Sequence, residues 1–472
     1  MYDVIIVGAG PAGLFAADTL SKSNLKVLVV DKGKDIDKRV CKTQVPNIGC
    51  KQCQLCDIMY GVGGAGAFSD GKLNITPDIG MDLDELKITK AKAKKLIQYV
   101  DNLFLECGVE DKLYGKSKRV EEWVKRTEKV DAYLKRNHPN SEPSVKLIPA
   151  PQRHIGSDNT PRVIAKFKRR LIKQGVKFKL NFEIQDILKN KNFYLKRGST
   201  VLESRYVIVA PGRGGAYWFR DVAKKLGIAT LFGPIDVGVR VELLAKDMDE
   251  ITSVIYDPKF KITTPTYKDS VRTFCTNPRG FVTVEHIDKM LLVNGHAMRK
   301  KRTRNTNFAL LYTIHLTEPI VDTTKYGRLI ARFCNFIAGG RPLLQRLGDL
   351  KQGQRTRPGY IQSNEVKPTF KGVCCGDLGL ALNYRIITNI TESLDILNMI
   401  IPGISKDSTL VYAPEVKFYD TKYSTDENLE TDVRGLFVAG DGCGKSRGII
   451  GAAITGIIAA QGILKKEGIK PA

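Results

Sequence analysis

Three cysteines in a CxxCxxC run, Cys50, Cys53 and Cys56, stand shortly before a glycine-rich segment, residues 61–73 (GVGGAGAFSDGKL), and Cys41 lies upstream. Four thiolates could close one tetrahedral zinc site or bind an iron–sulfur cluster, although the usual cluster run places its fourth cysteine shortly after the third. A Cys53–Cys56 dithiol exchanging electrons with a neighbouring cofactor is the second reading, and inert packing the third. A second constellation is GAGPAG, residues 8–13. Gly8 allows a tight turn, Gly10 lets backbone approach a pyrophosphate, and Gly13 lets a helix pack closely on a strand. Pro11 and Ala12 complete the turn that presents the helix N–H groups and positive dipole end to phosphates. About 20 residues beyond these glycines stands Asp31, followed by Lys32, where a carboxylate would accept ribose hydroxyls.

Elements of the right kind surround these residues. Residues 2–7 (YDVIIV) and 26–30 (KVLVV) are apolar runs of strand length, and helix-forming residues follow the glycines. Strand, turn, helix, second strand and acid therefore occur in the order a dinucleotide site requires. Two later runs repeat the pattern of a strand ending in small residues. YVIVAPGRGG, residues 206–215, carries Ala210 and Gly212, and RGLFVAGDG, residues 434–442, ends at Gly440-Asp441-Gly442. Together with GAGPAG they resemble the three signature segments of the glutathione-reductase-like FAD proteins. That resemblance implies that Asp441 holds the ribityl chain of FAD. It also implies that the following helix, from about Gly448 through Ile449 and Ile450, points its N-terminus at the flavin, where its dipole would favour negative charge.

The combination of GAGPAG, GVGGAGAFSDGKL, HIGSDN (154–159), RTFCTNPRGFV (272–282) and GDGCGKSRGIIGAAITG (440–456) looks like the family of uncharacterised FAD-dependent dehydrogenases. The resemblance runs over nearly the whole chain and implies FAD and a redox reaction without supplying a substrate. In related flavoproteins the segment after the second strand passes beside the isoalloxazine, where only residues with little side chain let backbone lie against a flat ring. Gly63, Gly64, Ala65 and Gly66 suit that role. Ser69, Asp70 and Lys72 would then bond the ring or ribityl chain, with Lys72 near N1 favouring the anionic reduced form. For proton transfer and charge stabilisation over the flavin, the candidates are Arg279 in a Pro/Gly turn with Cys275, His296 after the strand MLLVNG, His154 in HIGSDN, and Lys72.

The expected fold class is α/β: a discontinuous, Rossmann-like, three-layer ββα FAD-binding domain with a second, β-rich α+β substrate domain. The FAD-binding parts are placed at 1–81, 144–232 and 414–472, a helical insertion at 82–143, and the substrate or cap domain at 233–413. A chain of 472 residues that is 42% hydrophobic supports two domains and argues against disorder. The start MYDVIIVGAG lacks the pattern of a signal peptide, and the apolar stretch 448–464, rich in Gly and Ala, reads as a buried helix and not a transmembrane segment. A cytoplasmic location follows, in which ten cysteines would stay reduced.

The net charge of +25 draws anions in general, and its plain reading is a Lys-rich solvated surface. The leading expectation is hydride transfer through flavin N5 to or from a small-molecule or lipid-like substrate. No second GxGxxG follows a strand in 233–413, so NAD(P)H would bind only transiently, or electrons would come from a redox partner protein. The alternatives are a flavin-dependent RNA-modifying enzyme, motivated by RKKRTR at 299–304 with nucleic acid as a less favoured partner, and a flavin electron carrier without its own substrate.

Overall fold

The computed structural model describes residues 1–41, 53–287, 289–316, 322–418 and 421–470. Two sheets organise them. The first takes strands from both ends of the chain: Lys177–Lys179, Val27–Val30, Tyr2–Val7 and Thr200–Val209 run side by side and parallel, and Leu436–Val438 joins Thr200–Val209 in the same sense. An antiparallel meander, Asp186–Lys189 and Phe193–Arg197, extends from Thr200–Val209.

Strands buried on both faces read as continuous apolar runs, and these do. Val4 and Ile6 face one core, shared with the helices Pro11–Leu20, Thr160–Lys173 and Gly448–Lys466. Ile5 and Val7 face the other, with Phe193 and Leu195 of the meander and Phe219 of the helix Gly212–Lys225. The helix Gly448–Lys466 is long and apolar enough to cross a membrane, but most of it is buried inside the protein. Its close packing on Pro11–Leu20 depends on Gly456, where a Cβ would lie 2.0 Å from the Ala12 carbonyl oxygen.

The second sheet has eight strands in the order Cys374–Cys375, Leu343–Arg346, Leu410–Lys417, Ile235–Leu244, Asn305–Ile314, Ser270–Asn277, Lys259–Thr263 and Ser144–Ile148. All neighbours are antiparallel except the first pair. A hairpin, Phe281–Ile287 with Met290–His296, lies alongside. One face of the sheet is covered by the helices Arg119–Asn137, Thr323–Ile337 and Tyr384–Ile400.

The domain limits drawn from the sequence shift in three places. The two helices of 82–143 do not form one unit: Lys90–Glu106 buries Leu96, Val100 and Phe104 in the core of the first sheet, whereas Arg119–Asn137 buries Trp123 and Leu134 against the second. Ser144–Ile148 is an edge strand of the second sheet and not part of the nucleotide half. Leu410–Lys417 carries the second sheet past the limit at 413, because it pairs with Ile235–Leu244 on both sides of a bulge, from Leu410 to Tyr412 and from Glu415 to Lys417.

Candidate functional site

A cavity of about 1220 Å³ opens between the two sheets. Its first wall is the glycine turn. The Ala9 N–H donates to Asp31 Oδ2 at 2.9 Å and the Gly33 N–H to Oδ1 at 2.7 Å, so Asp31 ties the turn to the end of the second strand. A Cβ at Gly8 would lie 2.0 Å from the Ala210 carbonyl oxygen, and one at Gly13 would lie 1.9 Å from that of Gly8. At Gly10, by contrast, a Cβ would meet nothing closer than Gly64 Cα at 3.8 Å. The fold therefore leaves open space in front of Gly10, beside first-turn N–H groups that have no partner within the helix. Gly8, Gly10, Pro11, Ala12, Asp31, Ala210 and Gly212 line this end, while Gly13 is used up in packing. Lys32 turns away to Glu183, 3.2 Å off, and to the ring of Tyr60.

The second wall is the glycine loop. Gly64, Ala65, Gly66, Ser69 and Asp70 line the cavity, whereas Gly63 packs towards Ala67 and Ile164. Gly64 has φ +57°, a conformation that a side chain resists. The loop is held by Arg39, a residue the sequence reading passed over: its guanidinium donates to the carbonyls of Asp57, Ile58, Val62 and Gly64 at 2.6–2.9 Å. Burial pulls the Arg39 pKa down to about 10, which leaves it charged at neutral pH. The Ser69 hydroxyl is spent on the Gly66 carbonyl at 2.8 Å.

Opposite stands Gly440-Asp441. Asp441 accepts from the Ser446 hydroxyl at 2.9 Å and the Gly448 N–H at 3.0 Å, capping the helix Gly448–Lys466, and burial raises its pKa. Ile449 reaches the cavity, but Ile450 is buried in the core behind it.

The far wall brings together charges that the sequence keeps apart. Lys72 Nζ lies 2.6 Å from Asp70 Oδ2, 3.5 Å from Asp257 Oδ2 and 3.6 Å from Cys275 Sγ. Lys259 shares the same carboxylate, its Nζ 2.5 Å from Asp257 Oδ2, and the Thr276 N–H donates to Oδ1 at 2.8 Å. Burial alone would raise the Asp257 pKa, but Lys259 and Lys72 reverse this and hold it at about 2. Burial also opposes the charge on Lys72, yet Asp257 and Asp70 outweigh it and keep that ammonium protonated. Lys259 is pushed the other way, by burial and by the like charge of Lys72, so it is the more readily deprotonated of the two.

His296 lines the same wall, its ring edge-on to Phe281, and burial lowers its pKa to about 4. The apolar part of the wall is Phe260, Phe274, Phe281, Val282, Met298 and Phe370. Across the cavity, Arg213 of the nucleotide half makes a two-pronged ion pair with Glu285 of the hairpin, at 3.1 and 3.2 Å. Below it, the buried Arg240 is bound to Glu415 by two 2.7 Å bonds and donates to the Cys275 carbonyl at 3.0 Å, holding that residue at φ +50°.

Two of the proposed catalytic residues are not in this wall. Arg279 turns out of the cavity to a bidentate pair with Asp249, at 2.5 and 3.2 Å. His154 sits behind it: its strand Gln152–His154 pairs with Lys72–Asn74, and its Nε2 lies 3.0 Å from the Tyr256 hydroxyl. Burial lowers the His154 pKa to about 4. In the RKKRTR run, Arg299 pairs with Glu110 and the N–H groups of Arg299 and Lys300 donate to Asp158, while Lys301 lines the cavity over the ring of Phe281.

Cys41, Cys53 and Cys56 line the cavity, and Cys50 lies outside the described residues. Among the described residues no group of three or more His, Cys, Asp or Glu is placed to hold a metal ion.

A model of the NAD(P)-binding Rossmann-like domain matches residues 6–40, the turn and acid described above. An uncharacterised protein of Clostridium beijerinckii is 23% identical over 489 residues, covering 98% of this chain and 80% of that one. A second, from Methanosarcina barkeri, is 64% identical over 31 residues, 7% of this chain and 8% of its own. Among solved structures, the glycine oxidase of Geobacillus kaustophilus is 13% identical with a TM-score of 0.41, covering 98% of this chain and 95% of its own. The L-proline dehydrogenase of P. horikoshii is 12% identical with a TM-score of 0.41, covering 99% and 94%. Likeness of this degree carries no conclusion about chemistry.

Proposed function

We propose that the chain is an FAD-dependent oxidoreductase that moves hydride between flavin N5 and a small or lipid-like substrate. The observation that supports this most is the continuity of one cavity from the open space at Gly10 and Asp31, past the glycine loop and Asp441, to the charged and apolar wall of the second sheet. NAD alone would use the Gly10 end; the extension past Gly64–Gly66 to Gly448 suits a longer ligand with a flat ring. When bound, FAD would supply the hydride-accepting and hydride-donating centre.

The residues divide the remaining work. First-turn N–H groups of Pro11–Leu20 receive the pyrophosphate, and Asp31 the adenosine ribose. Gly64, Ala65 and Gly66 leave room for the ring, and Arg39 keeps that loop in place. Lys259, the more readily deprotonated of the two lysines, would itself give or take the proton that accompanies hydride transfer, with ionised Asp257 fixing its position, while Lys72 stays charged and stabilises anionic character nearby. The aromatic wall excludes water and takes the apolar part of the substrate.

The test is reconstitution. Purified protein incubated with FAD should turn yellow, retain the flavin through gel filtration, and bleach anaerobically with NADH, NADPH or dithionite. Protein that takes up NAD but not FAD, or neither, overturns the reading.

A further inference from the structure

The helix Thr323–Ile337 packs one side on the second sheet, with Ala331 and Cys334 fully buried. Its outer side ought to be polar. Instead Leu329 is 58% exposed, Phe333 49% and Phe336 81%, and the spacing of four and three residues sets them in one strip. Lys325 and Arg332 are the other exposed residues of the helix, Arg341 follows just beyond it, and its sequence contains no acid. A bond of 3.2 Å from Asn383 to the Tyr326 hydroxyl brings the start of the helix Tyr384–Ile400 alongside, where Leu380 is 65% and Tyr384 76% exposed. Five large apolar side chains on these two adjoining helix ends, with Lys325, Arg332 and Arg341 beside them and the N-cap acid Asp322 paired to Arg220 at 2.8 Å, are more than the scattered apolar residues of an ordinary surface.

We propose that this face docks the protein on the surface of a membrane rich in anionic lipid. Charge complementarity favours that occupant: the cations beside the strip and the chain's net charge of +25 attract acidic headgroups, while Leu329, Phe333 and Phe336 reach the acyl boundary. The inner side of the same helix adjoins the cavity, since Phe418 lines the cavity and a Cβ built on Gly327 would lie 3.3 Å from its ring. A protein docked in this way holds the cavity next to the source of an apolar substrate. The docking itself does not depend on the flavin reading, and its test uses neither flavin nor activity.

The experiment is co-sedimentation of the full chain with vesicles of phosphatidylcholine alone and of phosphatidylcholine with phosphatidylglycerol. Wild-type protein should bind the anionic vesicles, less as salt rises, and bind the neutral ones weakly. Phe333→Ser with Phe336→Ser should weaken anionic binding about tenfold or more, and Arg332→Glu should weaken it and flatten the salt dependence. All three side chains are exposed, so the variants should keep the wild-type melting temperature, which confirms that they fold. No binding to anionic vesicles, or equal binding by the double variant, overturns the proposal. So does a wild-type dimer in light scattering that the double variant turns into a monomer, because the strip then belongs to a second copy of the chain.

Discussion

Gly8 and Gly10 stand two residues apart in one turn, yet alanine should act on them in opposite ways. At Gly8 the backbone has φ +110° and the new Cβ would lie 2.0 Å from the Ala210 carbonyl oxygen. Gly8→Ala must therefore part the strands Tyr2–Val7 and Thr200–Val209. Overpacking at ~1–3 kcal/mol and backbone strain at ~1–2 kcal/mol give an expected loss of about 2–5 kcal/mol in folding stability. At Gly10 φ is −75°, ordinary for alanine, and the nearest atom to a new Cβ is 3.8 Å away. Gly10→Ala should leave the ligand-free protein within about 1 kcal/mol of wild type. The methyl group fills the space assigned to the pyrophosphate, however, and holds it off the first-turn N–H groups. Hydrogen bonds to a charged group contribute ~1.5–3 kcal/mol each, so losing two costs ~3–6 kcal/mol, or roughly 10²- to 10⁴-fold in Kd. Thermal melts of ligand-free protein and FAD titrations followed by flavin fluorescence measure the two effects separately. If Gly10→Ala binds FAD like wild type, or melts as low as Gly8→Ala, the reasoning about this turn is wrong.

Other expectations concern the charged interior. Arg240→Met should cost about 3–5 kcal/mol by leaving Glu415 buried and short of its main partner, and adding Glu415→Leu should recover much of that loss in urea melts; no recovery would mean the pair is not the cause. His296 is held neutral by burial, its pKa lowered to about 4 from the usual 6.5. The unfolded chain therefore takes up a proton first as pH falls, and the stability present above pH 6.5 declines towards pH 4 by up to ~1.4 kcal/mol per pH unit. Urea melts of His296→Gln should show a shallower decline over that window, and an unchanged slope counts against it.

Local signals carried the nucleotide half into view. GAGPAG, Asp31 and the strands at 2–7, 206–209 and 436–438 each announce themselves within a few residues, because a turn and the strand feeding it are contiguous in the chain. The far wall of the cavity is not contiguous. Asp257 meets Lys72 across 185 positions and Arg213 meets Glu285 across 72, through pairings that antiparallel strand order decides. Arg279 lies off the cavity for a related reason: a Pro/Gly turn shows where the chain reverses, but Asp249, on a separate short helix, decides which way the guanidinium points. The helices 90–106 and 119–137 have similar apolar spacing, which says that each buries a face and not which sheet receives it. Arg39 gave no signal, since its partners are backbone carbonyls, which every sequence contains.

The parallel sheet has a consequence for synthesis on the ribosome. Tyr2–Val7 leaves the exit tunnel first, but its neighbour Thr200–Val209 comes some 200 residues later, and the strand Leu436–Val438 that completes the sheet more than 400 residues later. At ~5–20 residues per second the opening strand waits roughly 20–90 s for its last companion. During that interval the first helix has no Gly448–Lys466 to cover its face at Ala12. The nascent chain is then a client for holding chaperones, and a message cut short before residue 448 should yield an insoluble product instead of a shorter folded one.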